Sequence, residues 1–210
     1  MGAEYCPYCA VERWAMIVAL DKFGNFTGIE YMQSAPLPEA FPNTPTFSFR
    51  NATYTSNYIA FVSVEQQDRN HNPLQTATAA QTALLKQYDT AGSIPFVDFA
   101  NQYAITGAQV LPTAFAKANW TQIASQLDNA SSPIALSVDG AANHLISAIC
   151  KIDGGFPSSV CSQSFAQTVS YTRSASSSGS QLLASDSVLR GTPSSAETSR
   201  FIPNRHVARM

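Results

Sequence analysis

Glu4-Tyr5-Cys6-Pro7-Tyr8-Cys9 combines a helix start with two cysteines one helical turn apart. With Cys6 at the N-cap, Pro7 falls at the first helical position, where its missing N–H costs nothing and its fixed φ suits a helix. Cys6 then faces the unpaired N–H groups and the positive end of the helix dipole, which favour a thiolate. Cys9 follows on the same helix face. The spacing therefore predicts two thiols that can form a disulfide across the first turn, with Cys6 exposed and Cys9 recessed.

This arrangement suits thiol–disulfide exchange, in which an outer thiolate attacks and an inner thiol resolves the mixed disulfide. We expect Cys6 to be the nucleophile and Cys9 the resolving thiol, with no cofactor. Two other interpretations of the pair stay open, namely half of a metal site and two thiols of a hydrophobic core. A zinc site built from all four cysteines is disfavoured because Cys150 and Cys161 lack the C-x2-C spacing of a second zinc knuckle. No bound metal is predicted.

Composition excludes two classes of protein. The chain has 210 residues, 45% of them hydrophobic, which is enough for one domain with a packed core. Its net charge is −2 and it has no Lys/Arg-dense run, so it is not expected to bind nucleic acid through bulk electrostatics. The longest apolar run, Trp14 to Leu20, falls far short of the roughly 20 residues of a membrane-spanning helix. No span and no signal peptide are predicted.

Helix and strand signals alternate along the chain, which predicts an α/β domain. The predicted helices are Pro7–Phe23, Leu74–Tyr88, Trp120–Leu127 and Ile134–Cys150. The first should be largely buried because its apolar positions occupy more than one face, and Gly24 should end it. The predicted strands are Tyr58–Val64, Ile94–Phe99 and Tyr103–Ile105, the last two forming a hairpin, with a further strand at Phe47 and Phe49.

Charge and serine content divide the chain into residues 1–161, the predicted folded domain, and residues 162–210. The second part has thirteen serines, five arginines and two acidic residues. Such a composition predicts a disordered tail. The alternative is a helical appendage around residues 181–190.

A second segment that bears on function is Ser93-Ile94-Pro95-Phe96-Val97-Asp98-Phe99, in which a proline opens an apolar strand. In the thioredoxin-like superfamily such a proline lies opposite the C-x-x-C motif and follows a cis peptide bond. The residue before it offers its backbone to an extended substrate. The resemblance of this segment to the thioredoxin-like proline segment implies a cis Ile94–Pro95 bond. It also implies a substrate groove formed by Ile94 and Pro95, with Tyr8 at its rim. The alternative is an ordinary proline of an edge strand.

Pro7-Tyr8, between Cys6 and Cys9, matches the glutaredoxin-type dipeptide of that superfamily. The chain more closely resembles a prokaryotic family catalogued as domain of unknown function 929. The segments that match in order are Gly2–Ala10, Glu12–Trp14, Pro42–Phe47, Gly92–Phe99, Ala148–Lys151 and Pro157–Cys161. The resemblance implies a thioredoxin-like fold with an insertion between the active-site helix and the cis-Pro hairpin. The family's strand before the cysteine motif and its membrane anchor have no counterpart here. We therefore expect a truncated N-terminal strand, from a fragment or a misplaced start.

Cys150 and Cys161 enclose a short loop that contains Gly154-Gly155 and Pro157. A structural disulfide between them would stabilise the domain by about 3 kcal/mol on a loop-entropy estimate. It would also imply an oxidising compartment. Because members of the resembling family carry a membrane anchor, although this chain does not, we expect the protein on the extracytoplasmic side of the membrane. The alternatives are a shuttle pair that exchanges with Cys6 and Cys9, and two free buried thiols.

Three charged residues have two interpretations each. Glu12 and Arg13 could tune the cysteine thiols, but we expect a solvated ion pair on the helix surface. Asp98 is either a buried general base for Cys9 or an outward-facing residue of an alternating strand. Trp14 is expected in the core.

The predicted function is a thiol–disulfide oxidoreductase acting on protein or small-molecule thiols and disulfides. The first alternative is a non-catalytic thioredoxin-like module whose groove beside Pro95 holds a partner peptide. The second is a metal chaperone that binds Cu(I) through Cys6 and Cys9.

Overall fold

The computed structural model describes residues 1–167, 172–175, 180–183 and 206–209. Its α-helices are α1 Pro7–Leu20, α2 Ala79–Tyr88, α3 Trp120–Leu127, α4 Pro133–Ile152, α5 Ser158–Cys161 and α6 Ser164–Gln167. Its strands are β1 Gly24–Thr27, β2 Glu30–Gln33, β3 Pro45–Ser48, β4 Thr53–Ser56, β5 Ile59–Val62, β6 Phe96–Phe99, β7 Tyr103–Thr106, β8 Thr172–Ala175, β9 Ser180–Leu183 and β10 His206–Arg209. A short 3-10 helix spans Pro112–Phe115.

The main sheet has six strands in the order β5-β10-β6-β7-β9-β8. Strand β10 is parallel to β5 and antiparallel to β6, and β6 and β7 form an antiparallel hairpin with Val97 opposite Ile105. Two smaller antiparallel sheets, β1–β4 and β2–β3, come from the segment between α1 and β5. The mixture of helices and mixed sheet confirms the predicted α/β class.

Helix α1 is the centre of the packing, since it lies along α4 on one side and contacts β3 and the short 3-10 helix on others. Most of its residues are buried, as the apolar positions on several faces predicted. Its aliphatic side chains pack with those of α4 and of β5–β7 in one hydrophobic core. Each fully buried aliphatic or aromatic side chain contributes about 1.5–3 kcal/mol of transfer free energy. This packing fixes the position of α1 relative to α4 and the main sheet.

The four predicted helices are all present; α3 has the predicted bounds, and α1, α2 and α4 have shifted ends. Helix α2 begins at Ala79 because Thr78 caps it: the Thr78 hydroxyl accepts from the Gln81 N–H, and the Gln81 side chain accepts from the Thr78 N–H. Helix α1 ends at Leu20, so Gly24 does not cap it. Gly24 instead begins β1, where a side chain would collide with the Thr55 carbonyl oxygen.

The predicted hairpin of β6 and β7 is confirmed. Ala100 and Asn101 have φ values of 54° and 58°, which suits the tight turn between two antiparallel strands. The Asp98 carboxylate accepts the Asn101 N–H, at 3.1 and 3.2 Å from its two oxygens. All four residues of β6 are buried, so the outward-facing interpretation of Asp98 was wrong. An alternating pattern needs one solvated face, and this strand has none.

The tail predicted for residues 162–210 lies mostly outside the described residues. Within them, Ala166 of α6 is buried in the core, five residues beyond the predicted domain end at Cys161. The alternative helix around residues 181–190 overlaps strand β9. Where a truncated N-terminal strand was expected, Gly2 forms an isolated parallel bridge with Glu65, and the Met1 carbonyl oxygen accepts the Phe96 N–H at 2.9 Å.

Cys150 and Cys161 form a disulfide that joins α4 to α5, with their Cα atoms 5.5 Å apart. Cys161 belongs to the main hydrophobic core, and the partly buried Cys150 packs against it. Among the described residues, no helix is long and apolar enough to cross a membrane.

Candidate active site at the start of helix α1

Cys6 is the N-cap of α1, as predicted, with extended backbone angles of −72° and 119°. Its Sγ accepts a hydrogen bond from the Cys9 N–H at 3.2 Å, and both cysteines are free thiols. Cys6 is 5% exposed and Cys9 is completely buried. Cys6 is thus the outer of the two thiols, but the prediction that it is exposed was wrong. Tyr5 and Ile94 pack against the small cluster that Ala3 forms with the two cysteines.

The two thiols differ in acidity. The pKa of Cys6 is lowered by a hydrogen bond from the Cys9 side chain, and also by the Cys9 N–H and the positive charge of Arg13; burial opposes this. The pKa of Cys9 is raised well above its usual value by burial and by its hydrogen bond to Cys6. Only a thiolate is a good sulfur nucleophile. The site therefore holds one thiol with a lowered pKa and one with a raised pKa, within hydrogen-bond reach of each other.

A buried ion pair lies beside Cys9. Arg13, one helical turn after Cys9, donates from Nε and Nη2 to the two carboxylate oxygens of Glu65 at 3.0 and 2.7 Å. Its Nη2 also donates to the Ala3 carbonyl oxygen at 2.8 Å, while Nη1 has no partner among the described residues. A Cβ built on Gly2 would lie 3.4 Å from Cys9 Sγ and 3.6 Å from Glu65 Oε2. The carboxylate and the inner sulfur therefore flank the same glycine.

The prediction that Glu12 and Arg13 form a solvated ion pair on the helix surface was wrong. Both side chains are completely buried, and Arg13 pairs with Glu65 instead. Consecutive helical residues point about 100° apart, so neighbours on a helix do not face each other. A helix covered on several sides also leaves no solvated face for either charge.

Glu12 has its own buried environment. Its Oε2 accepts the N–H of Gln109 at 2.8 Å and that of Val110 at 3.4 Å, which ties the loop after β7 to α1. Its Oε1 has no hydrogen-bond partner among the described residues. Burial raises the pKa of Glu12 to about 7, and the two backbone hydrogen bonds oppose this shift.

The proline segment meets the cysteines as the resemblance implied. The Ile94–Pro95 peptide bond is cis, which confirms that prediction. Ile94 packs against the cysteine cluster, and the Pro95 carbonyl oxygen accepts the Gly107 N–H at 2.8 Å. Tyr8 is 42% exposed and meets Phe41 edge-on, with ring centroids 5.9 Å apart. The structure thus brings Ile94 to the two thiols and leaves Tyr8 on the surface one residue before Cys9.

A comparison with family models shows to which protein family the chain belongs. The model described as Domain of unknown function (DUF929) matches residues 1–151. The chain belongs to the DUF929 family. The comparisons with curated proteins and with solved structures return no match.

In this DUF929 protein the matched segment contains both free cysteines, the Arg13–Glu65 pair and the cis Ile94–Pro95 bond, and it ends one residue after Cys150. The Cys150–Cys161 disulfide is not in the hydrophobic cluster of Cys6 and Cys9.

Sequence reasoning missed four residues at or beside the site, namely Glu65, Tyr5, His71 and Glu39. Glu65 follows directly after the predicted strand Tyr58–Val64, and that position at the end of a strand was the only signal for it. The Tyr5 ring lies 4.1 Å from that of His71, and His71 Nε2 lies 3.9 Å from Glu39 Oε1. The pKa of Tyr5 is raised by burial and by the negative charge that the two cysteines can carry.

Proposed function

We propose that this DUF929 protein is a thiol–disulfide oxidoreductase with a thioredoxin-like fold, which uses Cys6 as nucleophile and Cys9 as resolving thiol. The observation that carries the proposal is the geometry of the pair. The Cys6 sulfur caps α1 and accepts the Cys9 N–H, and Cys9 lies fully buried behind it.

The thioredoxin-like fold is supported by three features in their expected order. The cysteine motif begins a buried helix, and an antiparallel β6–β7 hairpin follows later in the chain. The cis Ile94–Pro95 bond lies immediately before β6, and Ile94 contacts the cysteine cluster. A backbone segment beside the nucleophile can pair with an extended substrate chain.

The proposed reaction consists of two exchanges. The Cys6 thiolate attacks one sulfur of a substrate disulfide; that bond breaks, and the other substrate sulfur leaves as a thiolate and takes a proton. Cys9 then loses its proton and attacks Cys6 Sγ in the mixed disulfide. A Cys6–Cys9 disulfide forms, and the second substrate sulfur leaves as a thiol. Two electrons pass from the protein to the substrate, and oxidation of a dithiol substrate is the same sequence in reverse.

Arg13 supports the second exchange. Deprotonating a completely buried thiol is unfavourable, because burial raises its pKa. The positive charge of Arg13, one turn beyond Cys9, opposes that rise. Glu65 fixes the guanidinium through two hydrogen bonds of the bidentate kind that is strongest for such pairs. Arg13 is therefore a positioning residue, which acts through Cys9.

Two matched variants test the function. Reduced wild-type protein, Cys6→Ser and Cys9→Ser are mixed with a peptide disulfide whose reduction releases a fluorophore. We expect turnover by the wild type with a dithiol as electron donor, none by Cys6→Ser, and a trapped mixed disulfide at Cys6 in Cys9→Ser, identified by mass spectrometry without reduction. Cys150→Ala with Cys161→Ala is the control that leaves the site intact.

Turnover by Cys6→Ser would contradict the assignment of the nucleophile. A wild type without turnover that binds the oxidised peptide would favour the non-catalytic module. A wild type without turnover that binds Cu(I) stoichiometrically, with loss of binding in Cys6→Ser, would favour the metal chaperone.

A further inference from the structure

A cleft of about 530 Å³ lies on α1 away from the cysteines, between the β2–β3 hairpin and α3. Four aromatic residues line it, Trp14, Tyr31, Phe47 and Trp120, and Ser125 and Asp128 of the α3 side complete its polar edge. None of its lining residues is basic. The proposed disulfide exchange makes no use of this surface.

The aromatic rings form inclined walls. The Trp14 and Phe47 centroids are 4.6 Å apart with the rings at 63°, and those of Tyr31 and Trp120 are 6.4 Å apart at 71°. Each indole N–H donates to a carbonyl of strand β3: Trp14 to Pro45 at 2.9 Å and Trp120 to Thr46 at 3.2 Å. The indoles are thereby fixed on the scaffold. Tyr31, which is 75% exposed, stands at the mouth.

The electrostatics of the cleft favour a cation. The faces of aromatic rings carry negative partial charge and attract cations. Asp128 is the C-cap of α3, where the free carbonyl groups of the helix add negative partial charge, and the last turn has no basic residue. Within the part of the chain that the structure describes, the Asp128 carboxylate makes no hydrogen bond or ion pair. Its negative charge is therefore solvent-exposed and unpaired at the edge of the cleft.

We propose that this cleft binds a small organic cation with an alkylated ammonium group. Its volume falls within the range of small-molecule sites, roughly 300–1,000 Å³. Alkyl groups on the nitrogen pack against aromatic faces while the charge interacts with the rings and the carboxylate, the mode by which aromatic cages recognise quaternary ammonium ligands. A primary ammonium is more strongly hydrated and fits such walls less well.

The two tryptophans of the chain both line the cleft, so intrinsic fluorescence reports its occupancy directly. The protein is titrated with choline, and in parallel with 3,3-dimethylbutan-1-ol, a neutral molecule of the same shape, at constant ionic strength. We expect a saturable change in emission with choline, and affinity for the neutral molecule weaker by about fivefold or more. Asp128→Asn should weaken choline binding about fivefold and leave the neutral molecule unaffected. Asp139→Asn, on α4, is the matched control and should change neither.

Three results would overturn the proposal. They are equal affinity for choline and the neutral molecule, an Asp128→Asn variant that binds choline like the wild type, and tighter binding of N-acetyl-lysine amide or N-acetyl-arginine amide than of choline. The last would assign the cleft to a basic side chain of a polypeptide. Cys6→Ser should bind choline like the wild type, which separates this test from that of disulfide exchange.

Discussion

Replacing the buried carboxyl of Glu12 by an amide should change how the stability of the protein depends on pH. The pKa of Glu12 is raised from 4.5 to about 7 because the side chain is buried. The difference corresponds to about 3 kcal/mol. Glu12→Gln keeps an oxygen that accepts the Gln109 N–H and removes the ionisable group.

The sign follows from proton linkage. Below pH 4.5 the carboxyl is protonated in the folded and the unfolded chain, so its ionisation has no effect on stability. Between pH 4.5 and about 7 the unfolded chain loses this proton while the folded chain keeps it, so the free energy of unfolding decreases as the pH rises. Above pH 7 the loss is complete. Glu12→Gln should therefore be more stable than the wild type by up to about 3 kcal/mol at pH 8, and by little at pH 4.

Urea denaturation followed by tryptophan fluorescence at pH 4, 6 and 8 measures this difference. Glu30→Gln is the control, because Glu30 is exposed and its replacement should change stability by less than about 0.5 kcal/mol at each pH. A stability difference between wild type and Glu12→Gln that is the same at all three pH values would refute the reasoning. A free energy of unfolding that increases for the wild type relative to the variant as the pH rises would also refute it.

Three further predictions concern the thiols and the buried ion pair. In reduced protein, Cys6 should be alkylated by iodoacetamide near neutral pH much faster than Cys9; equal rates by mass spectrometry would remove the basis for an activated nucleophile. Glu65→Gln should lower the free energy of unfolding at pH 7 by about 3–5 kcal/mol, measured in urea, because it leaves a buried guanidinium without its counter-charge; a loss below 1 kcal/mol would contradict this. Cys150→Ala with Cys161→Ala should lower the melting temperature and preserve turnover, and a stable double variant without turnover would instead make this pair a redox relay.

The parts of the site that depend on neighbouring residues could be predicted from the sequence. Pro7 after Cys6 predicted where α1 begins, and the local rule for an N-cap holds because it involves only the first turn. Helix α3 has the predicted bounds, since Asn119 and Gln122 form a capping box at its start. The cis bond at Pro95 followed from the resemblance to thioredoxin-like proteins rather than from composition.

The parts that depend on distant residues could not be predicted in this way. Arg13 is 52 positions from Glu65, and no local pattern connects them. The burial of α1 was nevertheless predictable from its apolar positions, and it has a consequence for its charged residues. Charged side chains at the buried positions of a helix must either be paired or become neutral. Arg13 is paired with Glu65, and burial raises the pKa of Glu12, which favours its neutral form.

The pairing of Arg13 with Glu65 affects how the buried Cys9 could ionise in the proposed second exchange. Arg13 uses Nε and Nη2 for Glu65 and Ala3, and its charge is balanced by one carboxylate. If Glu65 cancelled the field of Arg13 at the sulfur completely, the guanidinium would not help Cys9 to ionise. The carboxylate oxygens, however, hold the Nε–Nη2 edge, and Nη1 stays without a partner among the described residues. A guanidinium held at one edge presents its remaining N–H groups to whatever charge forms nearby. In the proposed mechanism Cys9 ionises when the mixed disulfide is resolved, so its interaction with Arg13 would be strongest in that step.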